Sequence, residues 1–471
     1  MKNLIIICIS LFLPLASLIA HPAPDTSWVH DAGARKISIR KQIFYVNDYG
    51  AKNDAKTLNT RYIQKAIDIC AAKGGGIVAF KPGVYLTGSI FVKSNVELRI
   101  DSGVTIIGSQ DIEDYPIIPT RVAGIEMKWP AALINVIHQQ NVKITGKGII
   151  DGRGKPFWDS YWNLRKIYDP KGIRWAADYD CKRPRLILIS NAENVILEGL
   201  HLQRSGFWTV HILYSKHITV NNIIIRNNIG GHGPSTDGID IDSSTKILVE
   251  NCDVDCNDDN YCLKAGRDAD GLRVNKPTEY VLIRNCIARH GGGLITFGSE
   301  TSGSIRHVLV ENSTAIGTSN GVNFKSAFTR GGIVEDVYIH DIRMEQVNTA
   351  IRFNLNWNPN YSYTSLPAGI NSDSIPDYWK VMLQKVPPSQ GTPTIRNIWI
   401  SNVQATQCEQ GIFAMGMQTS PLQHIMLNNI HIEAQHAGLI QYAKNWKCNG
   451  LNIISANNES LQLQNTENIS L

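Results

Sequence analysis

A chain of 471 residues with 46 basic and 41 acidic side chains carries a mild formal net charge of +5. No run of Lys or Arg marks a nucleic-acid footprint, so that class of partner is set aside, while an anionic polymer remains compatible. Nine scattered cysteines do not make the dense framework of a small disulfide-stapled fold.

The chain opens like an export signal: Lys2, an apolar run from Leu4 to Leu15, then Ala16 to Ala20, with cleavage expected near Ala20. The run is too short for a convincing membrane span, and an uncleaved anchor is the alternative. The expectation is therefore residues 1–20 as signal peptide and 21–471 as one exported, periplasmic or extracellular domain, monomeric and without stable membrane insertion. After Phe44–Gly50, the stretch Asn59 to Ala72 places Ile63, Ala66, Ile67 and Cys70 at helical spacing, and Gly74–Gly75–Gly76 stops it. One amphipathic helix heading a β-rich chain suits a cap on an open apolar end.

From Gly76 onward short β-prone runs alternate with turn residues. An apolar-x-apolar triplet recurs at Val142, Val195, Ile218, Ile247, Val281, Val308, Val337, Ile398 and Ile425. Most steps are 23 to 34 residues, while those of 53 (Val142 to Val195) and 61 (Val337 to Ile398) suit an extra coil or a long insertion. Short strands repeated at this period predict an all-β fold, a β-solenoid with a short N-terminal capping helix. Asn residues between the runs suit its tight bends. Register-equivalent Cys252 and Cys286 suit buried thiols stacked in neighbouring coils; no paired CxxC supports zinc, and no metal or other cofactor is expected. Tyr361 to Thr392 reads as a surface excursion that could wall a cleft, and Asn457 to Leu471 as a tail that frays or covers the last coil.

The chemistry concentrates between Ser235 and Lys264, which hold seven Asp: 237, 240, 242, 253, 255, 258 and 259. Asp237 and Asp258 lie 21 residues apart, about one coil, so the acidic clusters are expected to stack about 4.8 Å apart. Carboxylates that close do not all ionise easily, so one is expected to keep its proton near neutral pH. A protonated acid beside ionised carboxylates is what glycosidic cleavage needs. Metal binding and an ordinary solvated acidic turn are the competing readings, although the spacing is not that of a calcium loop.

Several motifs in order resemble glycoside hydrolase family 28, the polygalacturonases and rhamnogalacturonan hydrolases. Its Asn-Thr-Asp-Gly signature is matched by Ser235–Thr236–Asp237–Gly238, and its Gly-Asp-Asp by Asn257–Asp258–Asp259. Val46 to Ala51, Tyr85 to Ser89, Gly148 to Gly154 and Gly298–Ser299–Glu300 agree as well, so the likeness covers roughly residues 43 to 440. The resemblance implies a right-handed parallel β-helix acting on pectic polysaccharide. It implies Asp258 as general acid, Asp237 and Asp259 as the carboxylates that activate water, and inversion at the anomeric carbon. Inversion leads to an expected acid–base separation of about 6.5–9.5 Å.

Two signatures depart. Gly291–Gly292–Gly293 stands where the family has Gly-His-Gly, with His290 two residues before the missing His as a candidate substitute or a surface residue. Asn323–Phe324–Lys325 stands for Arg-Ile-Lys: Lys325 is kept as a substrate-carboxylate ligand, and Asn323 lacks the charged fork of Arg. Arg267 is a further candidate carboxylate ligand, or half of a surface Arg–Asp pair. Losing His and Arg while keeping the Asp triad favours rhamnogalacturonan, with homogalacturonan as the alternative. A calcium-dependent pectate lyase and a non-catalytic pectin-binding solenoid are the rival classes.

Overall fold

Each repeat closes into a coil because its inward positions alternate with outward ones along its strands, most of them three to six residues long in the first two thirds of the chain. The computed structural model describes residues 24–471, so the expected signal segment lies outside the described residues. Among these, 30 strands join in one parallel ladder system wound as a right-handed β-helix, with a separate antiparallel hairpin, Ile117–Val122 and Ile125–Pro130. Successive coils stack in register: Val195 pairs with Ile218, Ile218 with Ile247, Ile247 with Val281 and Val281 with Val308. The inward residues form one continuous core. In its middle Phe297, Phe324 and Phe353 stack with ring centroids 4.3 and 4.6 Å apart.

Both irregular steps are insertions rather than extra coils, since Val142 pairs directly with Val195, and Val337 with Ile398. The first insertion carries helix Lys155–Tyr168, and the second carries helix Asp377–Met382. They meet the hairpin in a second apolar cluster around Trp129, Trp175, Tyr179, Trp208 and Trp379, on the outside of the solenoid. Helix Thr60–Ala72 buries Ile63, Ala66, Ile67 and Cys70 and covers the first coil, as its spacing predicts. At the other end Gln462–Ser470 pairs with Leu422–Ser455, so the tail covers the last coil rather than fraying.

The bends follow from asparagine. Asn222, Asn251, Asn285 and Asn312 sit at φ between 46° and 56°, a left-handed conformation that Asn tolerates better than other non-Gly residues. Asn312 donates to Asn285 Oδ1 and Asn285 to Asn251 Oδ1, which carries the ladder around the corner. Cys252 and Cys286 are buried, unbridged thiols in successive coils. No helix among the described residues is long and apolar enough to cross a membrane.

Candidate active site

The site grows from one sheet of the solenoid, whose successive strands include Val210–Leu213, Ile239–Asp242, Tyr261–Lys264, Ile295–Phe297, Asn320–Lys325 and Thr349–Asn354. In each, the residues flanking the central outward position belong to the core: Ile239 and Ile241, Ile295 and Phe297, Val322 and Phe324. The outward column therefore runs His211, Asp240, Cys262, Thr296, Asn323, Arg352, one residue per coil.

Asp237 lies just before its strand, and Gly238 donates its N–H to the Asp259 carbonyl, so the two acidic clusters stack as their spacing predicts. An oxygen of Asp237, Asp258 and Asp259 each lies within 4.8 Å of the others. These are approaches of the nearest oxygens, closer than the 6.5–9.5 Å expected between the acid and base carboxyl groups as wholes. Two of the three are sequence neighbours and the third sits one coil spacing away, which leaves no wider gap between their nearest oxygens. Two oxygens this far apart can both bond one water, since bonds of about 2.8 Å at a near-tetrahedral angle span about 4.6 Å.

Asp258 turns its own carboxylate back to accept from the Asp259 N–H at 2.9 Å. Asp259 is buried, accepting from Lys325 Nζ at 2.7 Å and Thr296 Oγ1 at 2.8 Å. Lys264 Nζ lies 3.4–3.5 Å from Asp237, Asp240 and Glu300, and over the Trp208 ring at 4.8 Å. Five acids thus share two lysines, and their proton affinities diverge. Burial, reinforced by the Asp259 charge, pushes the Asp258 carboxyl up despite both lysines. Burial works the same way on Asp259, but Lys325 and Lys264 outweigh it and hold that carboxyl low. Burial and then the charges of Asp240 and Asp258 push Asp237 well up, and burial takes Asp240 to about 8 although Lys264 opposes it. The result is a set of adjacent carboxyls with divided proton affinities, Asp258 and Asp237 raised and Asp259 lowered.

Two carboxylate groups here, Asp237–Asp258–Asp259 and Asp237–Asp240–Cys262, have donor atoms close enough to hold a metal ion. In both, a lysine ammonium already sits beside the carboxylates, Lys325 in one and Lys264 in the other. The donor set is therefore an ion-pair network rather than an open coordination shell.

The three Asp line a cleft together with Lys264, Glu300 and Lys325. Its wall comes from the insertions: Trp357 carries the Lys325 ammonium over its ring at 4.4 Å, and Arg174 pairs with Asp178 at 3.0 Å. On the side of the earlier coils the hairpin seals the sheet, because fully buried Arg121 reaches from it to Asp242 at 2.8 Å.

The other sequence candidates fare differently. Lys325 lines the cleft, but its ammonium is committed to Asp259. Asn323 is buried in the outward column with an unpartnered Oδ1. His290 is not in the cleft; its side chain is 70% exposed, pairs with Asp255, and flanks a neighbouring open groove that Asp258 also lines.

Arg267 is not a substrate ligand and not a surface residue. It is fully buried, with Nε on Asp268, Nη1 on the Tyr179 hydroxyl and Nη2 on the Tyr361 carbonyl. The hairpin tip is packed on it so closely that a Cβ on Gly124 would meet the Arg267 Cβ at 2.4 Å. At Gly292, in the place of the family His, a Cβ would meet Asp259 Oδ1 at 2.6 Å, so the carboxylate would have to shift to admit a side chain.

Lys264, Glu300, Trp208, Arg174 and Trp357 complete the site and were not singled out from the sequence. Lys264 offered a signal, lying two residues beyond Cys262 and so on the same outward face as Asp240 and Asp242 in the strand before. Trp357 and Arg174 offered none, because insertions carry no period.

Comparison with known proteins agrees with this geometry. The family model described as glycosyl hydrolases family 28 matches residues 81–386. A "probable polygalacturonase" of Vitis vinifera is 31% identical over 67% of this chain and 63% of its own length. An "exo-poly-alpha-D-galacturonosidase" of Dickeya chrysanthemi is 27% identical over 65% of this chain and 56% of its own. The chain thus spans less than two thirds of the length of these two curated relatives. The crystal structure of a hyperthermoactive exopolygalacturonase from Thermotoga maritima superposes with a TM-score of 0.74 at 26% identity, covering 90% of this chain and 95% of that one.

Proposed function

This chain belongs to glycosyl hydrolases family 28, and from that premise we propose that it is a polygalacturonase that hydrolyses homogalacturonan from a chain end. The observation that carries hydrolysis is the split in proton affinity across adjacent carboxylates in one cleft, Asp258 high and Asp259 low. Asp258 gives its proton to the leaving glycosidic oxygen. Asp259, with Asp237, holds the water that attacks the anomeric carbon from the other face and takes its proton, so the configuration inverts. Lys325 keeps Asp259 ionised, and Lys264 offsets the charge gathered around Asp237, Asp240 and Glu300.

Attack at a chain end is supported by the wall: the hairpin closes the cleft on the side of the earlier coils through Arg121 and Asp242, and the insertions add Arg174 and Trp357 around it. The names of the Dickeya and Thermotoga relatives support the same mode. They also support homogalacturonan over the rhamnogalacturonan preference drawn from the missing His and Arg.

Product analysis on homogalacturonan and on the rhamnogalacturonan backbone tests this reading. Saturated monogalacturonate from homogalacturonan is expected. A ladder of oligomers would replace terminal with internal attack, and products from rhamnogalacturonan alone would restore the other substrate. Unsaturated products abolished by chelator would identify a lyase, and no product at all a binding module.

A further inference from the structure

The cations around the cleft are already matched. Lys325 pairs with Asp259, Arg174 with Asp178 and Arg267 with Asp268, while Lys264 serves three carboxylates. None is left unpaired for the carboxylate of an incoming uronic acid. Arg352 is different. It occupies the outward column one coil beyond Asn323, between core residues Ile351 and Phe353. Its guanidinium lies over the Phe413 ring of the next coil at 4.7 Å, and among the described residues no carboxylate pairs with it. A partly buried cation without an anion is costly, and an aromatic face offsets only part of that cost. Beside it the Asn323 Oδ1, in a side chain that is 3% exposed, has no donor.

Resting on the polygalacturonase reading, we propose that Arg352 binds the carboxylate of a sugar on the open side of the scissile bond. Thr296 donates to Asp259 and stands two coils before Arg352, which places the guanidinium's strand about 10 Å along the axis from the strand that supports the catalytic water. A planar fork at this point matches a free carboxylate in two-pronged fashion and does not match its uncharged methyl ester. Arg352 thereby supplies, one coil further along, the charge that Asn323 lacks, and it makes the enzyme select de-esterified stretches.

The test compares wild type, Arg352→Gln and Arg352→Lys on polygalacturonate and on its methyl ester. Arg352→Gln should raise KM for polygalacturonate about tenfold or more with kcat nearly unchanged, and should abolish the preference for the free acid. Arg352→Lys should recover part of the affinity. A folded Arg352→Gln with wild-type KM and wild-type discrimination overturns the proposal, as does a Lys variant no better than Gln. Calorimetric binding of trigalacturonate to Asp258→Asn, with and without Arg352→Gln, separates this claim from the parent one. Binding that depends on Arg352 in a wild type that releases no sugar would retain the subsite and discard the hydrolase. Absence of binding to Asp258→Asn, or binding indifferent to Arg352, would discard the subsite.

Discussion

The two faces of the site sheet are built by the same strands and obey different rules. Inward, Ile239, Ile241, Ile295, Phe297, Val322 and Phe324 repeat one solution, coil after coil, in a fully buried stack. Outward, Asp240, Cys262, Thr296, Asn323 and Arg352 change character at every step. The inner face tolerates variation in identity because any apolar side chain of fitting volume serves. The outer face does not, because each residue meets a different neighbour at a fixed height. A solenoid can thus keep its fold on one face while composing a site on the other.

The sharpest way to break the comparison is on the outer face. Asp258→Asn removes the proposed proton donor without changing shape, so kcat should fall by about 10²–10⁴ while the melting temperature stays near wild type. Residual activity near wild type, measured on polygalacturonate, would remove Asp258 as the acid. The converse change is Phe324→Ala on the inner face, which empties the middle of the ring stack. It should cost about 3–5 kcal/mol of stability in denaturant unfolding, with the kcat of the remaining folded enzyme largely kept.

A third, smaller effect joins the faces through pH. The Asp240 carboxyl, pushed up to about 8 by burial, keeps in the folded chain a proton that the unfolded chain releases near 3.8. Its contribution to stability is therefore full below about pH 4 and is lost as pH rises toward 8. Asp242 and Asp178, held at about 2 because their arginine partners outweigh burial, act in the opposite sense and lose their contribution as pH falls from 3.8 toward 2. Melting temperature should then peak in mildly acidic buffer and decline toward pH 8, and Asp240→Asn should flatten that decline. An unchanged slope would mean that Asp240 is not the group responsible. The smallest effect is expected from His290→Ala: the side chain is largely exposed, and kcat/KM should change less than about twofold.

The same division explains what could be read from the sequence. The inner face announces itself by period, so the solenoid, the capping helix with Ile63, Ala66, Ile67 and Cys70, and the Asn bends were all legible. So was the stacking of Asp237 on the Asp258–Asp259 pair, because no insertion interrupts that coil. Arg267 was not legible, since what buries it is a hairpin tip more than 140 residues upstream, and no local pattern reports that distance. Lys325 was recognised as a cation of the site, but its commitment to Asp259 depends on two coils being in register. How closely the nearest carboxylate oxygens approach was not legible either, because coil spacing and the Asp258–Asp259 adjacency set it.

The most direct test of the central claim is the anomeric configuration of the first product, followed by proton NMR during digestion of polygalacturonate. With Asp258 as acid and a water held by Asp237 and Asp259, the released sugar should appear first as the β-anomer and only later equilibrate. An α-anomer as first product would mean that a carboxylate attacks the sugar directly, and would contradict the assignment of the bridging water.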